Sequence, residues 1–423
     1  MRVVLVAGHA TGGIAGHVAE LAEGLAGAGV HVVVATSAAT ADRWDRLAAA
    51  ARAVADLERD EVPGAGEETG RRGVPVLRLW PHPRRPLEAL RRLRHLRRLL
   101  RDADVVHAHG HQAGVLAVLL AGGGPGRRAP RGDDGARRRP AVVVTWHNAV
   151  LGSPRSASRR LLAVAERLQA RGADLLTGAS GDLVDRAADL GARGPQVTPV
   201  AVPDRAADGG RERGGPVPAP PPAGLEDLAP GTLVVLTVSR LAPQKDLPTL
   251  VRAAARLRGP GGDGGPPVVW CVVGDGEPGV ERGVRRLVAE LGAPVRLLGA
   301  RSDVPALLAR ADVFALASTW EARSLAVQEA MAAGLPVVAP RTGGLPDLLE
   351  GVGSLVPVGD DRALAGAVAA LLEDPVARER AGRASREAFT ALPGPQDVLR
   401  GWLDRYARLA AERGGASPGG RER

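Results

Sequence analysis

Short apolar runs alternate with longer segments of mixed polarity along most of the chain. In the first half the runs are VVLVA (3–7), VHVVVAT (30–36), VLRL (76–79), DVVHAH (104–109), AVVVTW (141–146) and DLLTG (174–178). Each is apolar on both faces, which predicts strands of a parallel sheet covered on both sides by the helix-like segments between them. A Pro/Gly-rich stretch containing PVPAPPPAG interrupts the pattern and reads as an interdomain linker. The pattern then restarts with LVVLTVS (233–239), VVWCVVG (268–274), VRLLG (295–299), DVFALAS (312–318) and PVVAP (336–340). The chain therefore reads as α/β, two doubly wound Rossmann-like domains facing a central cleft. The expected division is 1–203, a linker at 204–231, a second domain at 232–394, a helix at 395–413 and a disordered tail at 414–423. Its 423 residues favour two cores over one. Further insertions are expected around 59–73 and 122–140.

Composition narrows the setting. The single Cys271 lies within a strand-like run and reads as a small buried hydrophobe, which excludes an internal disulfide and fits a reducing compartment. The opening MRVVLVAGHATGG holds too short an apolar run for a signal peptide, and no stretch approaches a membrane span, so a cytoplasmic protein is expected. The net charge of +9 is concentrated: residues 71–101 hold eleven arginines against one acid, Glu88. On a helical wheel of 84–101, Ala89, Leu93, Leu96 and Leu100 share one face and Arg91, Arg94, Arg98 and Arg101 the other. This Arg84–Arg101 helix is either core-packed with a solvated arginine face or a contact for an anionic membrane at its inner face. Nucleic acid is not an expected partner, since no aromatic residues interleave the charges.

Against 55 arginines stands one lysine, Lys245. The scarcity of Lys, Asn, Ile, Tyr and Phe points to strong G+C pressure on the coding sequence. A lysine kept under that pressure marks a position suited to a compact, flexible ammonium rather than a planar guanidinium. It lies in TVSRLAPQKD (237–246), directly after a strand-like run, where Arg240 and Lys245 could both reach a diphosphate. Ligands of doubly wound sheets bind at the carboxyl ends of strands, and the other candidates also fall there. GHATGGIAGHVAEL (8–21) brings Gly12, Gly13 and Gly16 to a helix start, a natural anion site without the dinucleotide fingerprint. In STWEARSLAVQEAMAAG, Glu321 precedes a helix expected to begin near Leu325, and Glu329 lies within it. Eight residues of helix would span about 12 Å, too far for a hydrolytic carboxylate pair, which needs roughly 5–9.5 Å. Two separate acceptors for hydroxyl groups fit better, with the amides of Ala322, Arg323, Ser324 and Leu325 suited to a phosphate. His107, His109 and His111 alternate after the fourth strand without a carboxylate or cysteine cluster, so no metal is expected. Met331 and Phe314 read as core.

The stretches SRLAPQKD, VVGDGEPG, LLGARSDVPALLARADVFALAS and WEARSLAVQEAMAAGLPVVAPRTGGLPDLL, together with GGIAGHVAELAEGLAGAGVHVVVAT, resemble the retaining glycosyltransferases of family 4, which have the GT-B fold. The likeness covers most of residues 1–400. It implies that Arg240 and Lys245 hold the donor diphosphate and stabilise the leaving nucleotide. It further implies that Glu321 binds hydroxyls of the transferred sugar, Glu329 binds the ribose, and Gly12 and Gly13 approach the donor phosphate. His147, in TWHN, matches a position near the reacting centre, with Gly16, His109 and Asn148 on the acceptor side. No metal or cofactor is implied beyond the nucleotide sugar as co-substrate; the acceptor is unidentified, and the arginine-rich helix makes a lipid or cell-envelope glycoconjugate one candidate class. Two stretches depart from the pattern: ARS follows Glu321 where the family has small or aromatic residues, often Gly first, and VAVPDR stands where it has Asn-Gly. The alternatives are a GT-B nucleotide-sugar epimerase and a non-catalytic scaffold that binds sugar nucleotides.

Overall fold

The computed structural model of the 423-residue chain describes residues 1–8, 13–37, 40–41, 76–78, 86–121, 139–149, 157–202, 222–257 and 266–414. Gly12, the stretch 59–73, most of 122–140, the proline-rich part of the linker and all but the first residue of the tail lie outside them. Two compact units are present: Met1–Thr198 with Gln396–Arg423, and Pro199–Pro395.

In unit 1 the elements run β1 (Arg2–Ala7), α1 (Gly13–Gly27), β2 (His31–Thr36), β3 (Val76–Arg78), α2 (Pro86–Arg101), β4 (Val105–His109), α3 (His111–Leu120), β5 (Ala141–Trp146), α4 (Ala157–Gly172), β6 (Leu175–Gly178), α5 (Gly181–Asp189) and β7 (Gln196–Val197). The seven strands are parallel, in the order β3-β2-β1-β4-β5-β6-β7. Every residue of β4 and β5 is buried, as expected of central strands covered on both faces. β7 escapes the hydropathy pattern because it is two exposed residues long and pairs at the sheet edge. On α2, Leu96 and Leu100 are fully buried and Arg91, Arg94, Arg98 and Arg101 are exposed. Leu93 departs from the wheel: it is 39% exposed.

Unit 2 repeats the plan with β8 (Leu233–Val238), α6 (Leu247–Ala254), β9 (Val268–Val273), α7 (Pro278–Leu291), β10 (Val295–Gly299), α8 (Val304–Arg310), β11 (Val313–Ala315), α9 (Leu325–Ala332), β12 (Val337–Pro340), α10 (Leu345–Leu349), β13 (Ser354–Val356), α11 (Asp361–Glu373) and α12 (Pro375–Thr390). Its strand order is β10-β9-β8-β11-β12-β13, all parallel. Alternate strand residues serve two cores. Val235, Trp270, Val272 and Val313 pack under α6 and α11, while Val234, Cys271, Phe314 and Leu316 pack with Val327 and Met331 of α9. Helix starts are set by local chemistry: Asp360 accepts from the amides of Arg362 and Ala363, and Asp374 from those of Val376 and Ala377. Among the described residues no helix is long and apolar enough to cross a membrane.

The last helix, α13 (Pro395–Gly414), packs on unit 1. A Cβ at Gly24 of α1 would lie 3.0 Å from the Leu399 side chain, and Arg413 is ion-paired with Asp174 beside β6. Its fully buried Trp402 and Tyr406 reach the sheet at His107, whose ring lies 4.3 Å from that of Trp402. Tyr406 Oη is 2.5 Å from His107 Nδ1, and His107 Nε2 is 2.7 Å from Thr145 Oγ1, which bonds Thr177 Oγ1 at 2.7 Å. With the phenol donating to Nδ1, the ring hydrogen on Nε2 donates onward to Thr145, and each bond is satisfied by a neutral imidazole.

His107 belongs to a cluster. His109 lies on the same face of β4, its ring 4.0 Å from that of His107, and its Nδ1 bonds His147 Nε2 at 3.0 Å. His17 of α1 meets both His109 and His147 edge-on, with centroids 5.9 and 5.8 Å away. Burial holds all four imidazoles neutral, lowering His17 to about 4, His147 to about 3, and His107 and His109 well below the usual value. His107 and His109 thus lie inside β4 rather than after it, and no group of three His, Cys, Asp or Glu among the described residues could hold a metal ion.

Trp402→Ala opens a cavity in this core and should cost about 3–5 kcal/mol of stability, read from denaturant melts. The depressed imidazoles also set a pH dependence. The unfolded chain binds protons near pH 6.5 and the folded chain does not, so stability falls as pH drops from 6.5 toward the folded values. The slope is up to about 1.4 kcal/mol per pH unit for each histidine. Above pH 7 the histidines contribute no slope. Melting temperatures of wild type and His107→Gln between pH 5 and 8 should show a shallower acid-side loss in the variant.

Candidate functional site

In unit 2 the strand order reverses between β8 and β11, the place where an open α/β sheet leaves a crevice beyond its carboxyl ends. β8 feeds the segment Ser239–Lys245, and β11 feeds the loop that enters α9. Lys245 ends a 3₁₀ turn, Pro243–Lys245, capped by Asp246 at φ 43°, ψ 48°. Asp246 is the sole non-glycine residue with positive φ among the described residues. Such left-handed backbone costs about 1–3 kcal/mol and persists only where its surroundings enforce it. Here the enforcement comes from the neighbouring loop: the Thr319 amide donates to the Gln244 carbonyl at 2.8 Å, and its hydroxyl donates to the same oxygen at 3.2 Å.

The two loops so joined bring Lys245 Nζ onto Glu321 Oε1, and Ser318 Oγ donates to that same oxygen at 2.7 Å. Both charged side chains are largely out of water, at 13% and 10% exposure. Oε1 is therefore occupied, while Oε2 has no hydrogen-bond partner among the described residues and can accept from a ligand. The Glu321 backbone is pinned from the other side. Gly344 N donates to its carbonyl at 2.9 Å, and Gly343, at φ +54°, comes so close that a Cβ would lie 1.9 Å from that oxygen. Likewise Gly274, at φ +141°, packs on Ser239: a Cβ there would lie 2.0 Å from the Ser239 carbonyl. Only glycine fits either position.

Beyond Glu321 the chain enters α9 with Ser324 at its N-cap in extended conformation, and no side chain caps the helix. The amides of its first turn are thus left without intrahelical partners at the positive end of the helix dipole. Arg323 is half-buried, and its Nε is buried with no partner. Burial lowers its pKa, which the Asp347 charge partly opposes. One turn into α9, burial pushes the Glu329 carboxyl up to about 6. Arg240 is exposed after β8.

The candidate residues thus separate by unit. Lys245, Glu321 and the Ala322–Leu325 start of α9 form one constellation, with Arg240 and Glu329 on the elements that carry it. In unit 1, His147 and His109 bond one another in the buried cluster, and the exposed Asn148 accepts from His111 Nε2 through its carbonyl at 2.9 Å. Gly13 opens α1, and a Cβ at Gly16 would meet nothing within 4 Å. Sequence reasoning missed Ser318, Asp246, Gly343 and His17. Glycines in VVGDG and RTGG were the available signal for two close approaches, and His17 is the lone polar residue on the buried face of α1.

Comparison with known proteins follows this geometry. A sequence model described as "Glycosyl transferase 4-like domain" matches residues 12–203, and one described as "Glycosyl transferases group 1" matches residues 232–374. The chain is 36% identical over 190 residues to a GDP-mannose-dependent alpha-(1-6)-phosphatidylinositol monomannoside mannosyltransferase of Mycolicibacterium smegmatis, covering 42% of this chain and 46% of that one. It is 37% identical over 157 residues to D-inositol 3-phosphate glycosyltransferase of Corynebacterium glutamicum, covering 36% and 38%. The chain therefore aligns with less than half the length of these relatives. Among solved structures, HepE of Anabaena in complex with UDP superposes with a TM-score of 0.72 at 20% identity, over 96% of this chain and all of that one. Sucrose-phosphate synthase of Thermosynechococcus elongatus gives 0.71 at 20% identity over 97% of this chain and all of that one. These structures share the two-domain α/β GT-B fold. The chain belongs to the group 1, or family 4, glycosyltransferases.

Proposed function

We propose that the chain is a retaining, metal-independent glycosyltransferase that takes a sugar from a nucleotide-sugar donor held in unit 2. The observation that carries this reading is the desolvated Lys245–Glu321 pair beside the uncapped start of α9. A diphosphate presents negative charge to the α9 amides, to Lys245 and to Arg240. The free Oε2 of Glu321 accepts from a sugar hydroxyl, and the Glu329 carboxyl on the next turn accepts from the ribose. Departure of the nucleoside diphosphate builds negative charge on its oxygens, and fixed cations and amides stabilise that charge most as it develops. With that charge stabilised on the leaving group, transfer proceeds by displacement on one face.

The relatives support transfer over epimerisation, since their names describe transferases. HepE is solved with UDP and with UDP-glucose, which supports a nucleotide sugar as donor. The acceptor reading follows from charge. The exposed arginine face of α2 suits an anionic membrane surface or a phosphate-bearing acceptor, and the Mycolicibacterium relative is named for a phosphatidylinositol mannoside.

Calorimetric titration with UDP-, GDP- and ADP-sugars should find one nucleotide class that binds the wild type and whose affinity falls at least about tenfold in Glu329→Ala, the loss of charge-assisted hydrogen bonds. Binding that survives the substitution would remove Glu329 from the donor site. Lys245→Ala should lower turnover about 100-fold or more. It also leaves Glu321 buried without its counter-charge, so the melting temperature should fall with it. Arg240→Ala separates the two effects: its side chain is exposed, so turnover should fall while the melting temperature holds.

A further inference from the structure

Among the described residues of unit 2, five arginines are half-buried, and four have partners. Arg296 bonds Asp227, Arg301 bonds Asp303, Arg310 donates to the Thr232 carbonyl, and Arg378 donates to the carbonyls of Leu371 and Leu372. Arg323 is the fifth. Among the described residues its guanidinium has no hydrogen-bond or ion-pair partner; its Nε is shut away from water, and its terminal nitrogens are not. Asp347 of α10 is near enough to act on it electrostatically and makes no ion pair with it. Leaving a buried donor unmade costs about 1–3 kcal/mol, more for a charged group.

Arg323 is also placed rigidly. It lies two residues past Glu321, whose carbonyl is clamped by Gly344, and one residue before the N-cap of α9. Lys245 is neutralised by Glu321, whereas Arg323, two residues along the same loop, has no ion-pair partner among the described residues. The diphosphate already has Lys245, Arg240 and the α9 amides. A neutral hexose offers Arg323 only hydroxyl lone pairs. A carboxylate offers two oxygens in the plane of the guanidinium fork, the geometry a desolvated arginine binds most strongly.

We infer that Arg323 recognises a carboxylate on the transferred sugar, so that the donor is a nucleotide-activated uronic acid rather than a neutral hexose. The inference rests on the donor site proposed above. Arg323 is then a specificity-determining residue, matched to the acidic substituent while Glu321 takes the hydroxyls.

The test is calorimetry on wild type and Arg323→Met with UDP-glucuronate against UDP-glucose, GDP-mannuronate against GDP-mannose, and UDP and GDP alone. With the base that binds, the wild type should favour the acidic sugar by at least about tenfold, equivalent to about 1.4 kcal/mol. In Arg323→Met that preference should collapse to within about twofold. Equal affinity for acidic and neutral sugars in the wild type would overturn the inference, as would a preference that survives the substitution. Equal weakening of the bare nucleoside diphosphate would overturn it too, by placing the guanidinium on the phosphates. If no nucleotide binds in any form, the donor site itself is wrong, a result distinct from binding without acidic preference.

Discussion

Two opposite charges, Lys245 and Glu321, are drawn almost wholly out of water in unit 2, and the local structure is organised around keeping them there. Desolvating such a pair costs several kcal/mol per ion, recovered only with close geometry and added hydrogen bonds. The loops supply both. Thr319 ties the two segments together, Ser318 donates to the shared carboxylate oxygen, and Asp246 takes up left-handed backbone so that the lysine turn can close. Gly343 lets a third segment press on the Glu321 carbonyl where any side chain would collide. A carboxylate held this way cannot swing to follow a ligand. Its second oxygen is fixed before binding, which reduces the ordering cost when a ligand arrives.

Unit 1 treats the same topological position differently. At the carboxyl end of β4 it gathers four imidazoles, all held neutral by burial, with no charged pair among them. A neutral histidine can accept or donate one proton, whereas a fixed ion pair orients charge. The cluster also explains the hold of α13 on unit 1, since Tyr406 completes the hydrogen-bond chain that keeps His107 in one tautomer.

Much of this was readable from the residues because parallel strands buried on both faces leave continuous apolar runs. Ten strands coincide with runs in the sequence to within one residue at either end, and β11 stops three residues before its run does. β7 and β13 do not, being two and three residues long with polar or exposed positions. Contacts between distant segments left no local trace. His107 and Tyr406 are 299 positions apart, and nothing in either stretch announces that the last helix packs on the first unit. The ion pair is a similar case. Lys245 and Glu321 were each readable as site residues, but their union, 76 positions apart, depends on the Thr319 and Gly343 contacts. It bears on the chemistry proposed for the site, because the lysine charge is already paired before any donor binds.

The composition that made Lys245 conspicuous also hid Arg323. In a chain with one lysine and 55 arginines, rarity points to a lysine and says nothing about any single arginine. Only its bonding distinguishes Arg323, as a half-buried guanidinium without a partner where, among the described residues of unit 2, its half-buried counterparts each have one. G+C pressure puts arginine on the surface, where water pays the solvation. It does not account for an arginine partly withdrawn from water one residue before the uncapped start of a helix. That position costs folding energy unless something else supplies the missing acceptor. In the inference drawn above, an acidic substrate meets the open terminal nitrogens of this arginine only in the bound state, which turns a local folding cost into discrimination between ligands.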